Sequence, residues 1–142
     1  MEYPALFEPA EEGGFIITFP DFGWGMSQAD TEAEAHIMAT ALLQTLAQEH
    51  IRNGEPLPLS GKPRGRKVRM VRLPALQSAK AELYRLSLAS GVRKAELARR
   101  LGIPKANVDR VFDLGHRSRL DRIEAAFQAL GKEIRILGAP AA

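Results

Sequence analysis

The side chains best suited to chemistry lie in a short segment in the second half of this sequence. The segment presents two positive charges, one amide and one small side chain, at Lys105, Ala106, Asn107 and Arg110. If the segment is helical, these residues lie on the side opposite Val108 and Val111. An asparagine amide can form two hydrogen bonds with adenine, and lysine and arginine side chains neutralise phosphates. The segment therefore predicts a surface that contacts double-stranded DNA.

The residues around this segment have the spacing of two short helices that cross at a sharp angle. Counted from Lys94, seven key positions carry the small or aliphatic types that such a pair needs: Leu97, Ala98, Leu101, Gly102, Ile103, Val108 and Val111. Ala98 lets the second helix cross closely, and Gly102 can adopt the positive φ of the turn. The pattern predicts a helix-turn-helix, although such a pair also occurs as a purely structural unit. Lys94, Arg117 and Arg119 are predicted to contact the DNA backbone.

Residues that could catalyse a reaction or hold a metal are few. The chain has no cysteine, which excludes a thiol nucleophile and a Cys-ligated metal. Its three histidines show no metal-ligand spacing, and its acidic residues are not placed to surround a pair of metal ions. There is no phosphate-binding loop, dinucleotide-binding motif or nucleophile motif. The sequence therefore predicts no catalytic residue, no metal site, no cofactor and no enzymatic activity.

The charged residues are distributed unevenly between the two halves of the chain. Residues 1–60 contain ten acidic residues and one basic residue, for a net charge of −9. Residues 61–142 contain 19 basic and seven acidic residues, for a net charge of +12. This asymmetry predicts two partners of opposite charge, with two differing solvated surfaces as the alternative. No apolar run could span a membrane and no signal peptide is recognisable, which predicts a cytoplasmic protein without a membrane partner.

The elements that would position these residues begin with short strands and one long helix. Strands are predicted at Tyr3–Glu8, Gly14–Phe19 and Met26–Asp30. Thr31 and Glu34 form a predicted capping box, in which the carboxylate accepts a hydrogen bond from the N–H of the cap residue. Apolar residues then recur at helical spacing from Ala35 to Ile51, and Asn53-Gly54 is predicted to end the helix.

A proline- and glycine-rich connector, residues 53–66, precedes the basic second half. Lys67–Leu73 is predicted to be a fourth strand that either closes the first domain or leads into the second. Helical patterns follow as far as Gly131. The alternating tail, Lys132–Leu137, is predicted to be a strand that pairs with a copy of itself in a second chain. The predicted fold class is α+β, with a β-β-β-α-β domain over residues 1–72 and an all-α domain with a short terminal strand over residues 73–142.

From Tyr3 to Leu137, the chain resembles the HicB family of bacterial antitoxins, in the form that carries a C-terminal helix-turn-helix. The likeness lies in the opening "YPALFEPAEEGGFIITFPDFGWGMSQADTEAEA", where a Gly-Gly-aromatic strand start, Pro-Asp and a Thr-x-x-Glu-Ala helix start follow in family order. It continues through "PLPL" into "ELARRLGIPKANVDRVFDLGHRSRLDRIEAAFQALGKEI". The resemblance implies a reduced, inactive RNase H-like fold for the first domain and a Cro/repressor-like helix-turn-helix fold for the second.

The resemblance also implies the partners of the chain. The expected toxin is a HicA-like ribonuclease, a small basic protein that cleaves mRNA and whose active site the antitoxin blocks. The antitoxin would also repress its own operon by binding operator DNA as a homodimer, with a tetramer as the larger alternative. The acidic first half suits a basic ribonuclease, because electrostatic complementarity speeds association and selects the partner.

The loop after the second strand departs from the family's pattern and carries the candidate toxin contacts. The family often has Pro-Asp-x-Pro-Gly there, whereas this chain has "PDFGWG", and Ala29 replaces the usual glycine before the helix. Asp21, Phe22 and Trp24 are predicted to contact the toxin, the two aromatic residues as apolar anchors unless the core buries them. Two other functions stay open: a transcription regulator that senses a small ligand, and an RNase H-like nuclease.

Overall fold

A computed structural model describes residues 1–141, which form a mixed α+β fold of four strands and five helices. The elements are β1 Glu2–Pro9, β2 Phe15–Thr18, β3 Ser27–Ala29, α1 Glu32–Arg52, β4 Val68–Arg72, α2 Ala75–Ser90, α3 Lys94–Leu101, α4 Lys105–Phe112 and α5 Leu120–Ala129. The predicted β-β-β-α-β order is confirmed, and each strand bound lies within one residue of its prediction. Ala142, at the end of the predicted second domain, lies outside the described residues. None of the five helices is long and apolar enough to cross a membrane.

The four strands form one antiparallel sheet in the order β3-β2-β1-β4. In the centre, Phe7 of β1 is paired with Ile17 of β2, and Tyr3 of β1 is paired with Val71 of β4. Alternate side chains of a strand share a face, and these four residues are all buried. Helix α1 covers this face, where the His36 ring lies 5.0 Å from the Phe7 ring. Strand β4 therefore belongs to the same sheet as the three N-terminal strands.

Helix α1 begins with a capping interaction. The Glu34 N–H donates to Thr31 Oγ1 at 3.2 Å, as predicted, and the Asp30 N–H donates to the Glu34 carboxylate at 3.1 Å. The carboxylate thus reaches one residue further back than the capping box predicts. The helix ends at Asn53 and Gly54, in agreement with the sequence. Its buried face consists of Ala35, Ala39, Leu43, Leu46, Ala47 and Ile51.

The connector over residues 53–66 is held against both parts of the chain. The Tyr3 hydroxyl donates to the Pro58 carbonyl at 2.7 Å, and the Gly61 N–H donates to the Asp21 carboxylate at 2.9 Å. From α2, the Tyr84 hydroxyl donates to the Glu55 carbonyl at 2.7 Å. Burial, together with the negative charge of Asp21, raises the pKa of Tyr3 to about 12. The connector is therefore fixed by buried side chains and is not a free linker.

Helices α2 to α5 pack around a further set of buried side chains: Leu83, Leu97, Val108, Val111, Ile123 and Phe127. Helix α2 ends at Ser90, and Gly91 has φ of +69°, as expected for a left-handed C-terminal cap. The buried residues of the sheet, of α1 and of these four helices belong to one continuous hydrophobic core. The two parts of the chain therefore fold against each other rather than around separate cores.

The prediction of a strand at Lys132–Leu137 is wrong for the single chain. Residues 132–141 contain no strand and no helix. Ile134 packs partly against the core, whereas Ile136 and Leu137 are 77% and 90% exposed. A strand needs a neighbour that satisfies its N–H and C=O groups, and no strand among the described residues pairs with this segment.

Candidate functional site

Helices α3 and α4 form a tight pair joined at Gly102. Gly102 has φ of +66° and ψ of 33°, so the positive φ expected from the sequence is confirmed. The Ile103 N–H donates to the Ala98 carbonyl at 3.1 Å, which closes the turn directly after α3. Leu97, Ala98 and Val108 are buried between the helices. This packing fixes α4 relative to α3 and leaves the opposite side of α4 in solvent.

The solvent side of α4 carries the residues predicted to meet DNA. Lys105, Ala106 and Arg110 are exposed, and Asn107 is partly buried. The Arg110 guanidinium lies 3.5 Å from the Asn107 side-chain oxygen, so the two side chains are neighbours on one helical turn. Val108 and Val111 point into the core, as the spacing predicts. The structure therefore brings an amide and a guanidinium together on an exposed surface.

A shallow basic depression lies between α4, the following loop and the start of α5. Four arginines line it, together with Asn107, His116 and Ser118: Arg110, Arg117, Arg119 and Arg122. Arg119 forms an exposed ion pair with Asp121 at 3.3 Å. Sequence reasoning missed Arg122, although its position three residues after Arg119 in a predicted helix places both on one side. We call this group the basic depression.

Lys94 lies apart from the residues that line the basic depression. Its ammonium is 2.9 Å from the Asp109 carboxylate of α4, and both side chains are about half exposed. Exposed pairs of this kind contribute little to stability, so Lys94 can exchange its partner for a phosphate at small cost. The pair also neutralises the only acidic residue of α4.

Lys80 of α2 is a fully buried lysine beneath the end of α4. Its ammonium donates to three backbone carbonyls, those of Arg110 at 3.0 Å, Asp113 at 2.6 Å and His116 at 2.6 Å. Burial lowers the pKa of Lys80, and the nearby Asp113 carboxylate opposes that shift. Sequence reasoning missed this residue. The sequence pattern that could have revealed it is the position of this lysine on the apolar side of α2, between Leu76 and Leu83.

The loop between α4 and α5, residues 113–119, is also held from α1. The Leu114 N–H donates to the Gln48 side-chain oxygen at 2.6 Å, and the Gln48 amide donates to the Phe112 carbonyl at 3.5 Å. Within the loop, the Gly115 N–H donates to the Asp113 carboxylate at 2.9 Å. The loop that presents Arg117 and Arg119 is therefore attached to both α1 and α2.

The three predicted toxin contacts do not form one exposed surface. Phe22 is 8% exposed and packs edge-on against Tyr3 and His50, with ring centroids 4.9 Å and 5.3 Å away. The Asp21 carboxylate accepts the Gly61 N–H described above. Trp24 is 47% exposed. Of the three, only Trp24 offers a large apolar surface to solvent.

Further exposed apolar side chains are Met26, two residues after Trp24 in the same loop, and Ile37 and Met38 on α1. A Cβ atom at Gly25 would lie 2.8 Å from the Leu46 side chain, so the loop between β2 and β3 rests directly on α1. Ile37 and Met38 line a shallow groove with Gln28, Ala29, Asp30 and Glu34. We call Trp24, Met26, Ile37 and Met38 the α1–β3 patch. At Ile37 and Met38, exposed apolar side chains lie beside two carboxylates, those of Asp30 and Glu34.

The difference in net charge is smaller between the two structural parts, residues 1–72 and 73–142, than between residues 1–60 and residues 61–142. Six basic residues of the second half precede α2: Lys62, Arg64, Arg66, Lys67, Arg69 and Arg72. Residues 1–72 therefore have a net charge of −3 and residues 73–142 a net charge of +6. Two of the six pair with acidic residues of the same part, Arg69 with Glu32 at 3.0 Å and Arg72 with Glu2 at 3.3 Å. The net charges of the two parts still have opposite signs, but they differ by less than the net charges of the two halves of the sequence.

Within residues 1–141, no group of three or more His, Cys, Asp or Glu side chains could hold a metal ion. A comparison with known families then identifies the class of the chain. A model of HicB-like antitoxins of bacterial toxin–antitoxin systems matches residues 2–82. The chain therefore belongs to the HicB-like antitoxin family, as the sequence resemblance implied.

The curated relatives resemble the chain over nearly its whole length. Antitoxin HicB of Escherichia coli K12 is 34% identical over 137 residues, which cover 96% of this chain and 99% of the relative. Antitoxin HicB 1 of Photorhabdus laumondii is 35% identical over 136 residues, covering 96% and 86%. Antitoxin HicB of Pseudomonas fluorescens Pf0-1 is 38% identical over 134 residues, covering 94% and 91%. These relatives are named as antitoxins, not as enzymes.

Proposed function

We propose that this antitoxin neutralises a HicA-like, mRNA-cleaving toxin through residues 1–72 and represses its own operon through residues 73–142. Membership of an antitoxin family supports a toxin partner. The net charges of −3 and +6 on the two parts suit a basic ribonuclease and a nucleic acid, respectively. The two activities use different surfaces of one molecule.

The DNA-binding proposal rests on one observation, the basic depression next to the exposed side of α4. We infer that α3 and α4 form a helix-turn-helix of the Cro/repressor type, with α4 in the major groove. Asn107 and Arg110 face base edges, where each can form a bidentate pair. Arg117, Arg119 and Arg122, with Lys94 and Lys105, contact phosphates on either side. Ala106 allows α4 to approach the bases closely.

The operator-bound form is a two-fold homodimer in this proposal, with a tetramer as a larger assembly. Helix-turn-helix proteins of this kind place two recognition helices in successive major grooves, which requires two copies. The exposed Ile136 and Leu137 in a segment of alternating apolar residues supply apolar surface for such an association. In the dimer, residues 132–137 of the two chains pair as antiparallel strands.

The toxin-binding surface of the proposal is the α1–β3 patch, with Trp24 as its anchor. Tryptophan is enriched among residues that dominate binding energy, and methionine adapts to irregular surfaces. Asp30 and Glu34 line the same groove as Ile37 and Met38 and can meet a basic partner. Phe22 and Asp21 support the loop from within. The sheet and α1 constitute a partial RNase H-like fold that binds a ribonuclease without being one.

The first prediction separates the two activities. Asn107→Ala and Arg110→Ala should each lower the affinity for a duplex taken from directly upstream of the reading frame by about 10- to 100-fold, the loss expected for one bidentate base contact. Neutralisation of the ribonuclease encoded by the adjacent reading frame should be unchanged. Fluorescence anisotropy measures the first activity, and an RNA-cleavage assay of the co-purified pair measures the second.

Matched variants complete this experiment. Arg64→Ala removes an exposed positive charge from the connector and should leave both activities at the wild-type level. Trp24→Ala with Met38→Ala should release toxin activity while operator binding persists. Loss of neutralisation in the α4 variants would contradict the assignment of the two activities to separate surfaces. An adjacent gene product without ribonuclease activity would instead favour the ligand-sensing regulator.

A further inference from the structure

All the N–H donors of the buried Lys80 ammonium are bonded to backbone carbonyls in one short stretch of the chain. A lysine ammonium has three N–H donors, and here each one meets a carbonyl oxygen, at Arg110, Asp113 and His116. A buried charge is costly unless it is well satisfied, so a lysine here is more than a space-filling residue. An apolar side chain of similar length would pack in the same place without these bonds.

The three carbonyls belong to the part of the chain that presents the basic depression. Arg110 lies in the last turn of α4, where positive charge is favourable, and its carbonyl also accepts the Asp113 N–H at 3.3 Å. Asp113 and His116 lie in the loop that leads to Arg117 and Arg119. Gln48 binds the same loop from α1, at Leu114. One ammonium thus joins the end of α4 to the loop that carries two of the depression's arginines.

We propose that Lys80 is a positioning residue for DNA binding, which fixes Arg117 and Arg119 in register with Asn107 and Arg110. This role rests on the proposed DNA-binding function. Lys80 itself does not touch DNA, because its side chain is fully buried. Without its three bonds, the loop moves relative to α4, and the loop arginines no longer meet phosphates at the same time as α4 enters the groove.

The test compares Lys80→Met with an Arg117→Ala/Arg119→Ala double variant in the full-length chain. Each phosphate contact contributes about 0.9 to the slope of log affinity against log salt concentration, so loss of two contacts makes the slope shallower by about 2. Lys80→Met should give this change and at least a tenfold loss of affinity for the upstream duplex. A variant that combines Lys80→Met with Arg117→Ala and Arg119→Ala should show no further change in slope, because Lys80→Met and the double substitution remove the same phosphate contacts.

Two controls separate positioning from general stability. Leu83→Met changes a fully buried neighbour on α2 and should leave the salt slope unchanged, even if the thermal midpoint falls. Amide hydrogen exchange should accelerate in residues 113–119 of Lys80→Met but not in α1. If Lys80→Met does not fold, Lys80→Gln, which keeps a shorter donor, should show the same effects to a smaller extent.

The outcomes distinguish this role from the proposed function. One outcome is that the wild-type chain binds the duplex while a folded Lys80 variant keeps both the wild-type salt slope and the wild-type amide hydrogen exchange in residues 113–119. In that case the positioning role is wrong, and the DNA-binding proposal is unaffected. If the wild-type chain forms no specific complex, both proposals are wrong. A shallower slope together with unchanged toxin neutralisation supports the role.

Discussion

At the scale of single residues, buried polar side chains connect distant parts of this antitoxin. Tyr3 and Lys80 are each at most 2% exposed, and each donates to backbone carbonyls far away in sequence. A buried donor that loses its partner costs more than an ordinary hydrogen bond contributes, so such contacts fix a unique arrangement. The Tyr3 hydroxyl fixes the connector, and the Lys80 ammonium fixes the loop after α4.

Tyr3 gives the antitoxin a specific sensitivity to alkaline pH. The folded pKa of about 12 exceeds the ordinary value of 10, so the folded state keeps a proton that the unfolded state releases. The resulting stabilisation is complete below pH 10 and is lost as the pH rises towards 12. The shift corresponds to up to about 3 kcal/mol. Urea unfolding of wild type and Tyr3→Phe across this range should show a steeper decline for wild type, and parallel declines would contradict it.

At the scale of elements, the α3–α4 turn depends on a single backbone conformation. Gly102 has φ of +66°, and a Cβ atom there would meet nothing within 4 Å. Gly102→Ala should therefore destabilise the chain through backbone strain alone, by about 1 kcal/mol. Gly138→Ala is the matched control, because it also adds a methyl group in open space but has no positive φ. Thermal unfolding measures both, and equal midpoints would be inconsistent with strain at the turn.

The sequence was sufficient to predict elements whose signals are local. Strand alternation, the cap at Thr31 and the glycines at positions 54 and 102 act over a few residues, and the structure agrees with them. The tail forms no strand in the single chain, because strand formation requires a pairing partner, which a local pattern cannot supply. Lys80 was missed for a similar reason, since its acceptors lie 30 to 36 residues away. Phe22 and Trp24 are both aromatic residues of the same loop, so the sequence does not show which of them is buried. Only tertiary packing distinguishes the buried ring from the exposed one.

At the scale of the whole molecule, the two parts of the chain, residues 1–72 and 73–142, share one core and several hydrogen bonds. Gln48 of α1 bonds to the loop after α4, Tyr84 of α2 bonds to the connector, and the N-terminal ammonium donates to Ser78 of α2 at 3.2 Å. The opposite charges of the two parts are thus carried by a single packed body.

The shared core predicts that the antitoxin unfolds in a single cooperative step. Trp24 is the only tryptophan and reports on the N-terminal part, whereas α2 to α5 contribute much of the helical circular dichroism signal. The two signals should show the same midpoint in urea. Gln48→Leu should lower that midpoint for both signals together. Two separated transitions would show that the parts fold independently.

The attachment of the connector has a consequence for proteolysis. Gly61 is bonded to Asp21, and Gly65 and Arg66 are bonded to Val68 and Arg69 of β4, so the exposed Arg64 lies between two bonded points. A trypsin-like protease would cleave after Arg64, whereas Pro63 protects the bond after Lys62. Because β4 would remain paired with β1, the two fragments of a nicked chain would stay associated. A cut at this point would sever the polypeptide while leaving the two proposed binding surfaces joined.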